Sequence, residues 1–327
     1  MTKSSFEQIR SNRYPMIEAS PHLLSSVQTD RIMQLVLWAL FPSGLASIFF
    51  FGLHSLLLYI IAVGSCLLAE FLWFKFRRQS RPKDYSAAVT GVLLAMSLPA
   101  SVPLWFPALG GVIGIIVAKE LFGGIGRNLL NPALTGRAVL RLVFAKEMAV
   151  NVLPKPFFST DGLAVVTSAT PLMEVKAGGS LNSNQLLDSL TGLIAGKNGE
   201  TTAILLLFGG LFLLYKGVIT WEIPFCMIAS IIVAALFIGK GELTFVFAHV
   251  FSGATMLGAF FMATDYSTSP TTSKGRIIYG ICCGGFLMVW RTYSSMSEGL
   301  TFILLIMNCL VPLIDHLIIP KAYGVKK

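Results

Sequence analysis

The sequence predicts an all-α integral membrane protein with about ten transmembrane helices, arranged as two inverted five-helix halves that are separated by an outer loop. Hydrophobic residues make up 54% of the 327-residue chain and charged residues only 13%, which is more apolar surface than a soluble fold of this size needs. The apolar stretches recur at lengths near the roughly 20 residues that cross a bilayer. Helices are predicted because the bilayer core cannot hydrogen-bond an irregular backbone.

Apolar length places the helices along the chain. The third and fifth are shorter than a full crossing needs. Pro99, Pro103 and Pro107 are predicted to break the backbone after the third, as a tight outer turn or a re-entrant hairpin. Both alternatives return the chain to the same face. The predicted spans are 32–51, 55–74, 86–100, 103–118, 131–145, 202–219, 222–239, 244–263, 276–293 and 299–318.

The distribution of basic residues orients these spans. Residues 75–83 hold five Lys or Arg, so the positive-inside rule puts this loop in the cytoplasm. Counting from it puts both termini, Lys119 and Arg127 on the same side, and the segment 146–201 outside. The first 30 residues lack the apolar core and cleavage site of a signal peptide. The sequence therefore predicts a protein of the cell inner membrane with cytoplasmic termini.

The outer segment divides the ten spans into two sets of five, and an odd-numbered set re-enters the membrane inverted. The 25 Lys and Arg against 16 Asp and Glu reflect orientation in a lipid bilayer, so no nucleic acid is expected as a partner. All five cysteines fall in predicted spans without CxxC spacing, so no metal site is indicated. The predicted parts are an N-terminal segment (1–31), a first membrane half (32–145), an outer loop (146–201), a second membrane half (202–318) and a cytoplasmic tail (319–327).

Two segments carry polar side chains that could serve a cofactor. Asn128 and Asn131 follow a glycine-rich turn at a spacing of three, so in a helical turn their amides share one face and could bind a flat polar ring. The alternative is that Asn131 caps a helix beginning at Pro132, and sequence logic slightly favours this cap. In the outer loop, residues 167–172 offer hydroxyl and small side chains, which alone are typical of an ordinary turn.

Ionisable residues in or near spans are functional candidates because a charge in hydrocarbon is costly. Arg137 and Arg141 lie four apart in the fifth span. They either bind a phosphate or carboxylate group, which makes Arg137 a cofactor-binding candidate, or pack against an acidic residue such as Glu70. Glu70, Asp265 and Asp315 are the candidates for an ion path.

In chain order, these segments resemble the family that joins the D subunit of the Rnf electron-transfer complex (RnfD) to the B subunit of the sodium-pumping NADH:quinone oxidoreductase (NqrB). The resemblance runs nearly end to end, and several motifs in one order are more specific than any single one. The matching stretches are Ser20-Pro21-His22, GGIGRNLLNPAL (123–134), SATPL (168–172), ITWEIP (219–224), FFMATD (260–265), TTSKGR (271–276), and Glu298-Gly299 leading to Asn308 and PLID (312–315).

The resemblance implies that FMN is joined through its phosphate to the hydroxyl of Thr170 by a flavin transferase. Ser168 and Ala169 precede it in the attachment motif, and Ser168 stands where the family motif has glycine, which removes easy access to a positive φ angle. The resemblance also implies a second, non-covalent flavin, riboflavin, at Asn128 and Asn131 near the cytoplasmic side.

The Rnf branch is favoured because the chain lacks the long amino-terminal extension usual in the quinone-reductase protein and because residues 219–224 look more like Rnf. The resemblance then implies a subunit of ferredoxin:NAD+ oxidoreductase, in which electron transfer drives Na+ or H+ across the membrane and catalysis belongs to the whole complex. The implied partners are the A, B, C, E and G subunits of the Rnf complex. The alternatives are the quinone-reductase protein, a flavin-free solute transporter, and a scaffold protein without a cofactor.

Overall fold

The structure is a computed structural model that describes residues 29–79, 84–154, 170–176, 183–199, 202–294 and 299–319. Over these ranges the chain is helical, and its β-structure is limited to an isolated bridge between Val152 and Gly196. The predicted all-α class is therefore confirmed for the described part of the chain.

The helices are labelled in chain order. Two π-helical segments, Gly114–Glu120 (π1) and Gly258–Met262 (π2), each follow directly on an α-helix. The α-helices are Thr29–Phe76 (α1), Ser86–Ser97 (α2), Trp105–Ile113 (α3), Pro132–Val143 (α4), Pro171–Lys176 (α5), Ser183–Thr191 (α6), Ala203–Tyr215 (α7), Glu222–Ile238 (α8), Leu243–Phe251 (α9), Thr255–Leu257 (α10), Ser273–Tyr293 (α11) and Leu300–Leu317 (α12).

The helix positions follow the predicted apolar stretches. The first two predicted spans form one helical run, α1, which is broken at Gly52 by a φ of 74°, a conformation that glycine adopts without a steric penalty. The chain turns at residues 98–104, between α2 and α3, as predicted from Pro99 and Pro103. Pro107 does not break the backbone: it lies in the first turn of α3, where its missing N–H has no helical partner to lose.

By length and composition, α1 and α12 are long and apolar enough to cross a bilayer. The pair Leu243–Phe251 and Thr255–Met262 adds a third span if its 59° bend lies within one crossing. Large apolar side chains such as Trp38, Phe208 and Phe237 are exposed on the helices, which is what a lipid-facing surface requires. The fold is that of an all-α membrane protein, while the ten crossings and the inverted halves stay predictions.

A buried arginine fills the break between α9 and α10. The Arg291 guanidinium donates from Nη1 to the His249 carbonyl at 2.6 Å and from Nη2 to Thr255 Oγ1 at 2.7 Å. Backbone carbonyls freed by a helix break need such a donor wherever water is excluded. Arg291, only 3% exposed, therefore stabilises the bend.

The core joins the amino-terminal and carboxy-terminal helices. α1 packs on α2, α3 and α7, α4 packs on α3 and α12, and α8 packs on α11. The two π-helical segments lie inside this arrangement, and π2 packs on α7 and α8. Side chains from both predicted membrane halves consequently meet around one internal space.

Candidate functional site

A partly open cavity lies between α1, α2, α7 and the two π-helical segments. Most of its wall is apolar. π-Helical segments often occur at functional sites, and here π1 contributes Lys119 while π2 contributes Phe260 and Phe261. The polar residues that line the cavity are Ser86, Thr90, Lys119, Asn128, Asn131, Thr264, Asp265, Tyr266 and Ser267.

Asn131 uses its two amide atoms for different purposes. Its Oδ1 accepts from the N–H groups of Ala133 at 3.0 Å and Leu134 at 3.3 Å, so it caps the helix that begins at Pro132. The predicted cap is therefore confirmed. The same side chain lines the cavity, and its Nδ2 donates to Asp265 Oδ2 at 3.4 Å. Capping and facing the cavity are thus compatible in this structure.

Asp265 lies in the loop after π2, opposite Asn131. Besides the Asn131 amide, the hydroxyls of Ser267 at 3.2 Å and Thr268 at 3.3 Å donate to its Oδ2. Burial raises the pKa of the Asp265 carboxyl above its usual value, and the hydroxyl donors oppose this effect. The structure thus joins residues that are 134 positions apart in the chain.

Asn128 also lines the cavity and is 4% exposed. Its Nδ2 donates to the Leu130 carbonyl at 3.2 Å, whereas its Oδ1 is buried without a hydrogen-bond partner among the described residues. Buried polar atoms are nearly always hydrogen-bonded. An acceptor left open in a cavity wall suits a ligand that carries an N–H or O–H group.

The other polar wall of the cavity is an ionic group that sequence reasoning did not foresee. Lys119 Nζ donates to Glu70 Oε1 and to Ser86 Oγ, both at 2.6 Å, and lies 3.6 Å from Glu120 Oε1. Ser86 Oγ in turn donates to Asp84 Oδ1 at 2.8 Å. The sequence signal for this group was the adjacent Lys119 and Glu120 at the end of an apolar stretch. The positive-inside rule used Lys119 only to orient the chain in the membrane.

Thr170 lies at the start of α5 and is 8% exposed. Its Oγ1 accepts from the Met173 N–H at 3.3 Å, and its carbonyl accepts from the N–H groups of Met173 and Glu174. α5 packs on α9, and the Lys176 ammonium at its other end contacts the Ser294 carbonyl oxygen. Ser168 and Ala169 lie outside the described residues.

The remaining candidates lie away from the cavity lining. Asp315 accepts from the Thr271 N–H at 3.1 Å, so it holds the loop before α11. Arg137 is buried in α4 at 4% exposure, and Arg141 Nη1 donates to the Ala145 carbonyl at 3.1 Å, where a cation suits the end of the helix.

Comparison with known proteins gives a match over nearly the whole chain. The model of the NQR2, RnfD, RnfE family matches residues 16–324. The chain belongs to the NQR2, RnfD, RnfE family. This membership confirms the resemblance that the ordered motifs predicted.

Three relatives illustrate the similarity. The D subunit of the Na(+)-translocating ferredoxin:NAD(+) oxidoreductase complex of Acetobacterium woodii is 41% identical over 314 residues, covering 95% of this chain and 96% of the relative. The D subunits of the ion-translocating oxidoreductase complexes of Shigella dysenteriae and Escherichia coli K12 are 37% and 36% identical over 349 residues. In both cases 95% of this chain and 99% of the relative are covered.

Proposed function

We propose that this chain is the D subunit of an ion-translocating ferredoxin:NAD+ oxidoreductase of the Rnf type. It relays electrons through FMN held covalently at Thr170 and couples this transfer to the movement of Na+ or H+. The observation that carries the proposal is the 41% identity, over 95% of the chain, to a relative with that activity in its name. All three relatives named above are D subunits, which favours this branch over the quinone-reductase protein.

The proposed setting is the cell inner membrane, with about ten crossings in two inverted halves and both termini in the cytoplasm. The segment that carries Thr170 then lies on the outer side. The exposed apolar side chains of the helices suit contact with lipid and with the other membrane subunits of the complex. The A, B, C, E and G subunits of the Rnf complex are the proposed partners, and a flavin transferase is the proposed partner during maturation.

The residues around Thr170 suit a tethered cofactor. Its hydroxyl oxygen accepts a hydrogen bond at the first turn of α5, and α5 is held against α9. A phosphate ester there fixes one end of FMN while its ring stays unmodified, and a bound flavin supplies the ability to accept and pass on electrons. The chain's own part is to hold the attachment point still.

The cavity suits a second, non-covalent flavin such as riboflavin. Asn128 Oδ1 is an open acceptor, the Asn131 amide is held by the helix cap, and the apolar side chains of Phe260 and Phe261 offer flat surfaces. Apolar walls with a few fixed polar groups are typical of cofactor sites. Arg137 is buried in α4 and is not part of the cavity lining. It stays a candidate for binding an anionic group of the cofactor.

Glu70, Asp265 and Asp315 are the proposed ion-path carboxylates. Asp265 lines the cavity, and Glu70 reaches it through Lys119. Asp315 binds the Thr271 N–H instead. The contacts therefore support Glu70 and Asp265 as ion-path residues more strongly than Asp315.

The test of the cofactor proposal is the Thr170→Val variant. We expect the wild-type chain, purified with its complex, to have an intact mass above that of the bare polypeptide and to give a yellow fluorescent band on a denaturing gel. Thr170→Val should lose both, because valine has no hydroxyl to esterify. Thr244→Val, which changes a half-buried threonine that hydrogen-bonds only Glu242 among the contacts described, serves as the control.

A colourless wild-type chain that transports a solute would contradict the proposal and favour the transporter alternative. A flavin-bearing chain whose Thr170→Val variant still supports full electron flow and ion pumping would instead favour a scaffold role.

Single neutralisation of the ion-path carboxylates tests their assignment. We expect Glu70→Gln and Asp265→Asn to reduce ion uptake by vesicles containing the reconstituted complex to near background, because Asp265 lines the cavity and Glu70 binds Lys119, which lines it. Asp315→Asn should cause the smallest loss, because its contacts are with a loop backbone. Unchanged uptake in all three variants would show the ion path to lie elsewhere.

A further inference from the structure

The carboxy-terminal end of α1 carries an unbalanced positive charge. Lys75, Arg77 and Arg78 are all exposed there. Within the part of the chain that the structure describes, no ion pair joins any of the three to a carboxylate. The end of the helix itself carries about half a unit of negative charge, which offsets less than one of these cations.

One face of α1 leads to this positive end. After the break at Gly52, exposed residues recur every three or four positions, which places them on the same side of the helix. We call this surface the lipid face, and it consists of Leu53, Leu57, Ile60, Gly64, Leu68, Phe71 and, at its end, Lys75. The first six residues are uncharged, so acyl chains can lie along the face up to the ammonium group.

The length of α1 places its end at the membrane surface. Residues 53–76 extend for about 36 Å at a rise of roughly 1.5 Å per residue, whereas the hydrocarbon core of a bilayer is roughly 30 Å thick. The last turn of the helix therefore reaches the level of the phospholipid headgroups. The chain turns away at Arg78, where a φ of 53° is in the left-handed region typical of helix ends.

Aromatic rings position two of the three cations. Lys75 Nζ lies 6.0 Å from the centre of the Phe71 ring, and the guanidinium carbon of Arg77 lies 5.5 Å from the centre of the Trp73 ring. Such contacts attract a cation to the face of the ring. Phe76, which is 86% exposed, adds an apolar surface beside them. Orientation in the membrane requires positive charge on one side, but it does not require rings that hold the charges beside an apolar face.

We propose that this surface binds a phospholipid with an anionic headgroup. The acyl chains lie along the lipid face, and the headgroup phosphate lies between Lys75, Arg77 and Arg78. Each Lys or Arg close to an anionic lipid strengthens the attraction about fivefold. A zwitterionic headgroup binds less tightly, because its own ammonium opposes the cations. The proposal does not depend on any flavin bound to the chain.

The test uses the purified intact complex in a neutral detergent, titrated with phosphatidylglycerol in one series and phosphatidylcholine in the other. Native mass spectrometry counts the lipids bound per complex. The test variant is Lys75→Gln/Arg77→Gln/Arg78→Gln. The matched control is Lys146→Gln/Lys240→Gln/Lys274→Gln, which removes the same charge from exposed positions elsewhere in the chain.

We expect the test variant to carry one phosphatidylglycerol fewer than the wild type, and to regain it only at a concentration on the order of a hundredfold higher. The control should keep this lipid, and 1 M salt should weaken its binding to the wild type, because salt screens exposed charges. If the triple substitution prevents assembly, Lys75→Gln alone should weaken binding about fivefold.

Three outcomes would overturn the proposal. An unchanged phosphatidylglycerol count in the assembled variant would show that the cations bind no lipid. Displacement of the lipid by inorganic phosphate would show a site for the free anion. Loss of another subunit from the variant complex, with the lipid count unchanged, would show that the surface is a protein interface.

Discussion

Replacing Asn131 by leucine is expected to abolish binding of the proposed non-covalent flavin in the cavity and to weaken the start of α4. Both effects follow from the two uses of the amide. Its Oδ1 accepts the N–H groups of Ala133 and Leu134, and loss of such a cap costs about 1 kcal/mol of stability. Its Nδ2 donates to Asp265 in the cavity wall, which leucine cannot do.

A second substitution separates capping from cofactor binding. Asn131→Ser keeps an N-cap oxygen at nearly full strength but is too short to reach Asp265. We expect this variant to lose the non-covalent flavin while its thermal midpoint stays close to that of the wild type. Flavin released on denaturation, measured against the FMN proposed to stay attached at Thr170, gives the occupancy. Full occupancy in Asn131→Ser would show that Asn131 acts only as the helix cap.

Gly284→Ala is expected to destabilise the protein strongly, whereas Gly285→Ala next to it is not. A β-carbon at Gly284 would overlap the Ser230 side chain and the Met227 carbonyl oxygen, where α11 lies against α8. The helices must then move apart, and overpacking of this kind typically costs about 1–3 kcal/mol. At Gly285 a β-carbon meets no atom within 4 Å, and alanine is the better helix former by about 1 kcal/mol.

The measurement for this pair is the midpoint of thermal inactivation of the purified complex in one detergent, with co-purification of the partner subunits as a check on assembly. Gly284→Ala should lower the midpoint, and Gly285→Ala should leave it unchanged or raise it. Equal midpoints for the two variants would contradict the close approach of α8 and α11.

Local features of the sequence were sufficient for the helices and the cap. The apolar stretches predicted the helical runs because side chains facing lipid must be apolar over a whole crossing. Asn131 followed by Pro132 predicted the start of α4, since a cap depends on atoms only two or three residues away. Pro107 was misjudged because a proline in the first turn of a helix and one that breaks it look alike in sequence.

Contacts between distant segments were beyond such reasoning. Asn131 and Asp265 were each singled out, yet their hydrogen bond across one cavity depends on how α4 and π2 pack. Lys119 was counted only among the basic residues of the cytoplasmic side, although it is 3% exposed and paired with Glu70. Orientation rules count charges in loops and do not distinguish an ammonium in water from one buried by a neighbouring helix.

The sequence by itself determined the family, the all-α membrane character and the helical starts, because motif order, apolar length and helix caps are properties of contiguous residues. Only the tertiary structure decided that Asn128, Asn131 and Asp265 share a cavity with Lys119, and that Glu70 and Ser86 bind its ammonium. Those relations depend on the packing of helices that are far apart in the chain, and apolar packing has too little directional character to be deduced from composition.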